Sequence, residues 1–96
     1  MKIEISEDAE KDMQSSLRFY IRHSPALAVD YLSDFQNACE RILLFPEAGM
    51  SVSTEIRRLL LKRFPFAIYY RMTRETVEVI GLLHTSRRPK IWKNRT

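Results

Sequence analysis

Proton-transfer chemistry in this chain would have to come from a small set of residues in its C-terminal part. His84 is a conceivable acid or base, because histidine as a residue type can exchange a proton in the physiological range. Arg63 and Arg71 offer guanidinium groups that can face a developing negative charge, and Tyr69 and Tyr70 carry hydroxyls between them. Each has a plainer reading. A histidine that ends a strand is more often a packing or hydrogen-bonding residue, and paired tyrosines in a strand are expected as sheet residues with satisfied hydroxyls. Glu75 falls in a turn and Glu78 stands alone, so no pair of carboxylates is available. Metal-ligand spacing, a phosphate-cradling glycine loop and a nucleophile with a base at fixed offset are all missing from the sequence. No catalytic residue is favoured, and no metal or cofactor is expected.

Charge points elsewhere. Residues 57 to 96 hold eleven Lys or Arg against two acids, a surplus of nine, whereas residues 1 to 56 hold five against ten, a deficit of five. A surface this basic suits an anionic partner, either nucleic acid or an acidic protein. Arg57, Arg58 and Arg71 belong to the predicted strands, and Arg63 stands between two of them. Arg87, Arg88, Lys93 and Arg95 surround Trp92 in a basic tail over 85–96, where an indole and cations together could take bases and phosphates.

The elements that must position these groups are legible in the pattern. Lys2-Ile3-Glu4-Ile5 alternates as a short strand with Ile3 and Ile5 inward. Ser6 reads as an N-cap, with Glu7, Asp8 and Glu10 at the positive end of a helix over about 7–22. Its apolar stripe is Ala9, Met13, Leu17, Tyr20 and Ile21. Ser24-Pro25 starts a second helix over 25–44, with Ala28, Leu32, Phe35, Ala38, Cys39, Ile42 and Leu43 on its buried face. So short a connection folds the two helices back as an antiparallel hairpin. Pro46 and Gly49 end the second helix, and residues 47–55 read as a loop. From Ile56 the period becomes two: strands are predicted over 56–62, 66–72 and 76–84, with Phe64-Pro65 and Thr73–Glu75 between them.

The predicted fold is α+β in two layers, a β-α-α-β-β-β antiparallel sheet with the helical hairpin on one face. Ninety-six residues make one domain, 1–96, large enough for a core without metal or disulfide. The single Cys39 reads as a core residue and excludes an internal disulfide. No signal peptide or membrane span is apparent, so no membrane contact and a cytoplasmic location are expected. The tail is expected to be anchored by Ile91 and Trp92.

Several segments in this order resemble the ParE/RelE toxin superfamily of bacterial toxin–antitoxin systems over nearly the whole chain. They are Leu43-Leu44-Phe45-Pro46 with Gly49, Arg57-Arg58, Arg63-Phe64-Pro65-Phe66 leading into Ile68-Tyr69-Tyr70, and His84-Thr85-Ser86-Arg87-Arg88-Pro89 followed by Trp92 and Arg95. The resemblance implies a growth-inhibiting toxin of the type II, plasmid-stabilisation kind, neutralised by a cognate acidic antitoxin. RelE-like members resemble ribosome-dependent messenger-RNA endoribonucleases and carry an arginine three residues before the strand tyrosine, where this chain has Ala67. ParE-like members resemble inhibitors of DNA gyrase, and Phe64-Pro65-Phe66 fits that branch better. The favoured expectation is therefore a gyrase-binding toxin that breaks no bond. Its target and antitoxin surface would comprise Arg57, Arg58, Arg63, Arg71, Arg87, Arg88, Trp92, Lys93 and Arg95. The alternatives are a ribonuclease using Arg63, Arg71 and His84 on ribosome-bound messenger RNA, and a non-toxic relative that only binds antitoxin.

Overall fold

A computed structural model describes residues 1–86 together with Lys93 and Arg95. Its elements run β1 (Lys2–Ile5), α1 (Glu7–His23), α2 (Pro25–Leu44), β2 (Met50–Ser51), β3 (Ile56–Leu60), β4 (Phe66–Met72) and β5 (Thr76–His84), and the five strands form one open sheet in the order β1-β5-β4-β3-β2. The α+β class and the helical hairpin agree with expectation. The sheet, however, is mixed: β3, β4 and β5 make the antiparallel meander, while β1 lies parallel to β5, with Ile3 opposite Val77 and Ile5 opposite Val79. The chain runs through both helices and the strands β2 to β4 before β5 returns beside β1, a connection long enough for parallel neighbours.

Local chemistry explains the boundaries. The Ser6 hydroxyl accepts the Ala9 N–H at 3.1 Å and Glu7, Asp8 and Glu10 fill the first turn of α1, while Pro25 opens α2 directly after Ser24. One core lies between sheet and helices. Tyr31, Phe35, Ala38 and Ile42 of α2 meet Phe66, Ile68 and Tyr70 of β4 and Val77, Val79 and Leu82 of β5. Tyr20, Tyr31, Phe64 and Phe66 form an aromatic group inside it, with tilted and edge-on rings 5.0–6.3 Å apart. The opposite sheet face carries a smaller buried cluster of Ile56, Ala67, Tyr69, Ile80 and Leu83.

Four expectations need correction. Ile5 is 41% exposed and Ile21 52% exposed, so neither is a core residue. β1 is the sheet's outermost strand, and Ile21 lies off the stripe that α1 turns to α2 and β5. Part of the 47–55 loop pairs as β2, with Met50 opposite Arg58 and Ser51 opposite Arg57. Two residues are too few for any periodicity to register. The strand expected to reach residue 62 stops at Leu60. The N–H groups of Lys62, Arg63 and Phe64 leave the ladder and donate instead to the buried Asp34 carboxylate at 3.1, 2.8 and 3.1 Å.

Candidate functional site

His84, Arg63 and Arg71 are the residues from which catalysis would have to be built, and β4 separates Arg71 from His84. His84 lies opposite Phe66 at one end of the β4–β5 pair and Arg71 opposite Glu78 towards the other. Five residues of strand separate these positions, about 17 Å at the usual rise. His84 stacks edge-on against Phe66 on the helix-facing side. Its Nδ1 accepts the Ser86 N–H at 3.1 Å and lies 2.7 Å from the Ser86 hydroxyl, so a neutral ring holds its proton on Nε2. Arg71 shares the other face with Tyr69, and its Nε donates to Glu78 at 2.6 Å across the strands. Arg63, on the β3–β4 connection, reaches back to Asp30 of α2 at 3.4 Å.

The remaining arginines of β3 differ from one another. Arg57 turns inward at the sheet edge, where its Nη1 donates to the carbonyls of Gly49 at 2.8 Å and Glu47 at 3.3 Å. Tyr70 pins the same segment, its hydroxyl donating to the Pro46 carbonyl at 2.7 Å while accepting the Gly49 N–H at 2.9 Å. Burial raises the Tyr70 phenol above its ordinary pKa, with the Gly49 N–H and the Arg57 charge opposing. Arg58, one residue on, projects from the other face with Tyr69 as its cross-strand neighbour. Arg95 is held by Asp12 of α1 and keeps its proton more firmly than an ordinary guanidinium because it hydrogen-bonds that carboxylate. Lys93 is exposed. Arg87, Arg88 and Trp92, and the proposed anchor Ile91, lie outside the described residues.

Sequence reasoning missed Asp12, Asp34 and the structural duty of the Tyr70 hydroxyl. A signal did exist for Asp34. It sits between Tyr31, Phe35 and Ala38 on the buried stripe of α2, and a carboxylate at that spacing must find donors. Cys39 is buried on the same helix, and burial, with a smaller contribution from Glu40, pushes its thiol up to about 11. It should therefore resist iodoacetamide at pH 8 until the chain is unfolded. Since the unfolded thiol ionises near 9, folding stability should decline between pH 9 and pH 11 as only the unfolded state loses the proton. Rapid alkylation of the native protein at pH 8 would contradict this placement.

Among the described residues, no three His, Cys, Asp or Glu side chains gather as a metal site, and no helix is long and apolar enough to cross a membrane. No curated protein matches the chain in sequence. Among solved structures it is similar to one described as the chromosomal ParDE TA system from P. aeruginosa, with a TM-score of 0.77 and 18% identity over 90% of this chain and 97% of that one. That likeness concerns the fold. The family model described as the ParE toxin of type II toxin-antitoxin system, parDE, matches residues 3–89. From its first strand to the basic residues after β5, this chain belongs to the ParE toxin family.

Proposed function

We propose that this ParE-family toxin arrests growth by binding DNA gyrase and that an acidic antitoxin encoded beside it neutralises it. The observation that carries the first part is the separation of Arg71 from His84 along the β4–β5 pair. Each is engaged in its own local contact, on Asp30, Glu78 and Ser86. General acid–base chemistry on one phosphate needs its groups within hydrogen-bond reach of the same reacting atoms, and strand geometry keeps Arg71 far from His84. Binding requires only a surface. Arg58 and Arg71 on one sheet face, Arg57 at the sheet edge, Arg63 on the β3–β4 connection and the tail residues Arg87, Arg88, Trp92 and Lys93 would supply cations and an aromatic anchor for an acidic macromolecular face. A cytoplasmic location follows from such a target.

For the antitoxin, the helical hairpin offers Phe19, Ile21 and Val29, which are 55%, 52% and 62% exposed. Large apolar side chains left in water next to a polarised charge pattern suit an amphipathic acidic segment that orders on contact. Purified protein should block supercoiling by gyrase and leave messenger RNA on programmed ribosomes intact, and antitoxin affinity should fall with added salt. Site-specific transcript cleavage lost in His84→Ala would replace the gyrase reading with a ribonuclease. An expressed protein that leaves growth unchanged would be a non-toxic, antitoxin-binding relative.

A further inference from the structure

Beyond Ile5 the outer edge of β5 has no strand beside it among the described residues. Ser6 N–H donates to the Val79 carbonyl at 2.9 Å, and from there the chain leaves as α1. Side chains cover the edge that remains. Asp12 Oδ2, from α1, accepts the Leu82 N–H at 3.0 Å. Arg95 Nη1 donates to the Ile80 carbonyl at 3.3 Å. The two side chains also grip each other in a two-pronged contact, Nη1 to Oδ2 at 2.5 Å and Nη2 to Oδ1 at 3.2 Å, with Asp8 4.0 Å from Nε.

Three features of β5 make this a built receptor for a guanidinium. Tyr69 faces Gly81 and Tyr70 faces Val79, so Ile80 is an extra residue bulged from the ladder. Gly81 clears the space: a Cβ there would stand 3.0 Å from Arg95 Nη1. The Leu82 N–H fixes the carboxylate that receives the fork. The Arg95 and Asp12 side chains are 18% and 16% exposed, whereas the Arg71–Glu78 pair is 33% and 31% exposed. A shielded, two-pronged pair holds its geometry where an exposed one does not.

We propose that Asp12 is a positioning residue for the toxin's action. By clamping Arg95 it anchors the end of the basic C-terminal segment against β5, so that target contact depends on a first-helix side chain that never meets the target. This rests on the reading of the basic part as the target surface. It also gives Arg95 a part other than direct target contact, since its guanidinium is spent in the clamp.

The test uses the full chain and three variants. Asp12→Asn keeps an oxygen for the Leu82 N–H and removes the charge that grips Arg95. Arg95→Gln removes the fork, and Arg95→Lys keeps a charge without it. Tryptic cleavage after Lys90 and Lys93, followed by mass spectrometry, reads the clamp with no target present. It should run about tenfold faster in Asp12→Asn and Arg95→Gln, the effect of losing one charge-assisted contact, with Arg95→Lys in between. Inhibition of gyrase supercoiling, or growth arrest, should weaken in the same order while each variant still melts cooperatively. Parental cleavage rates in all three variants would remove the clamp. Faster cleavage with full inhibitory potency would remove the positioning role. A parent protein that neither inhibits gyrase nor slows growth would instead defeat the target reading, with the cleavage rates still reporting whether the clamp exists.

Discussion

Replacing Asp34 by alanine is expected to destabilise the fold by about 3–5 kcal/mol, the range for stripping a buried carboxylate from its donors. Asp34 is 5% exposed and takes three consecutive N–H groups from residues 62–64. Those donors belong to the connection that turns β3 into β4, so their loss loosens the link that seats Phe64 and Phe66 beside Tyr31. For a domain of this size the change corresponds to a melting temperature lower by roughly 15–25 °C. Asp34→Asn, which keeps one acceptor oxygen and cannot serve all three donors, should fall between the two. Calorimetry of the three proteins gives the answer, and an alanine variant melting within two or three degrees of the parent would mean water satisfies those amides as well as Asp34 does.

Gly49→Ala should be the second most damaging single change, at about 2–3 kcal/mol, the range for forcing an atom into a packed site. An added Cβ would lie 2.6 Å from the Tyr70 hydroxyl, 2.9 Å from its ring and 3.0 Å from the Arg58 carbonyl. The ring cannot retreat, because its hydroxyl is tied to Pro46 and its face is buried in the core. Tyr70→Phe alone should cost about 1–2 kcal/mol, leaving the Pro46 carbonyl and Gly49 N–H without their partner. In the double variant the missing oxygen makes room for the methyl, so its cost should be well below the sum of the single changes. Denaturant midpoints for the four proteins measure that coupling. Strict additivity would show that the clash is with the Arg58 backbone rather than with Tyr70.

Elements long enough to show a period were legible before any coordinates. The spans 25–44, 66–72 and 76–84 coincide with α2, β4 and β5, and Ser6 caps α1 as its type and the acids after it imply. Strand direction was not legible, because alternation in Lys2–Ile5 marks a strand without saying which neighbour it joins or which way it runs. Nor were the backbone caps. Asp12 and Asp34 read as single acids on helices, and only the folded chain brings them to the amides of Leu82 and of residues 62–64. For the candidate surface, charge counting marks the basic part of the chain but cannot rank its members. Arg57 and Arg95 are absorbed by carbonyls and Asp12, whereas Arg58 is directed away from the helix layer. Which arginine is spent internally depends on carbonyl and carboxylate positions that no linear pattern encodes.

The parallel pairing of β1 with β5 also dictates when this molecule can exist during its own synthesis. Lys2 to Ile5 align with Thr76 to Val79, so β1 has no strand to pair with until residues 76–79 have been made and have left the ribosomal tunnel. At ordinary elongation rates of about 5–20 residues per second, the helical hairpin can form seconds ahead of the finished sheet. A nascent chain therefore passes through an interval in which it holds helices but no completed sheet, and translation must run past Val79 before β1 can pair.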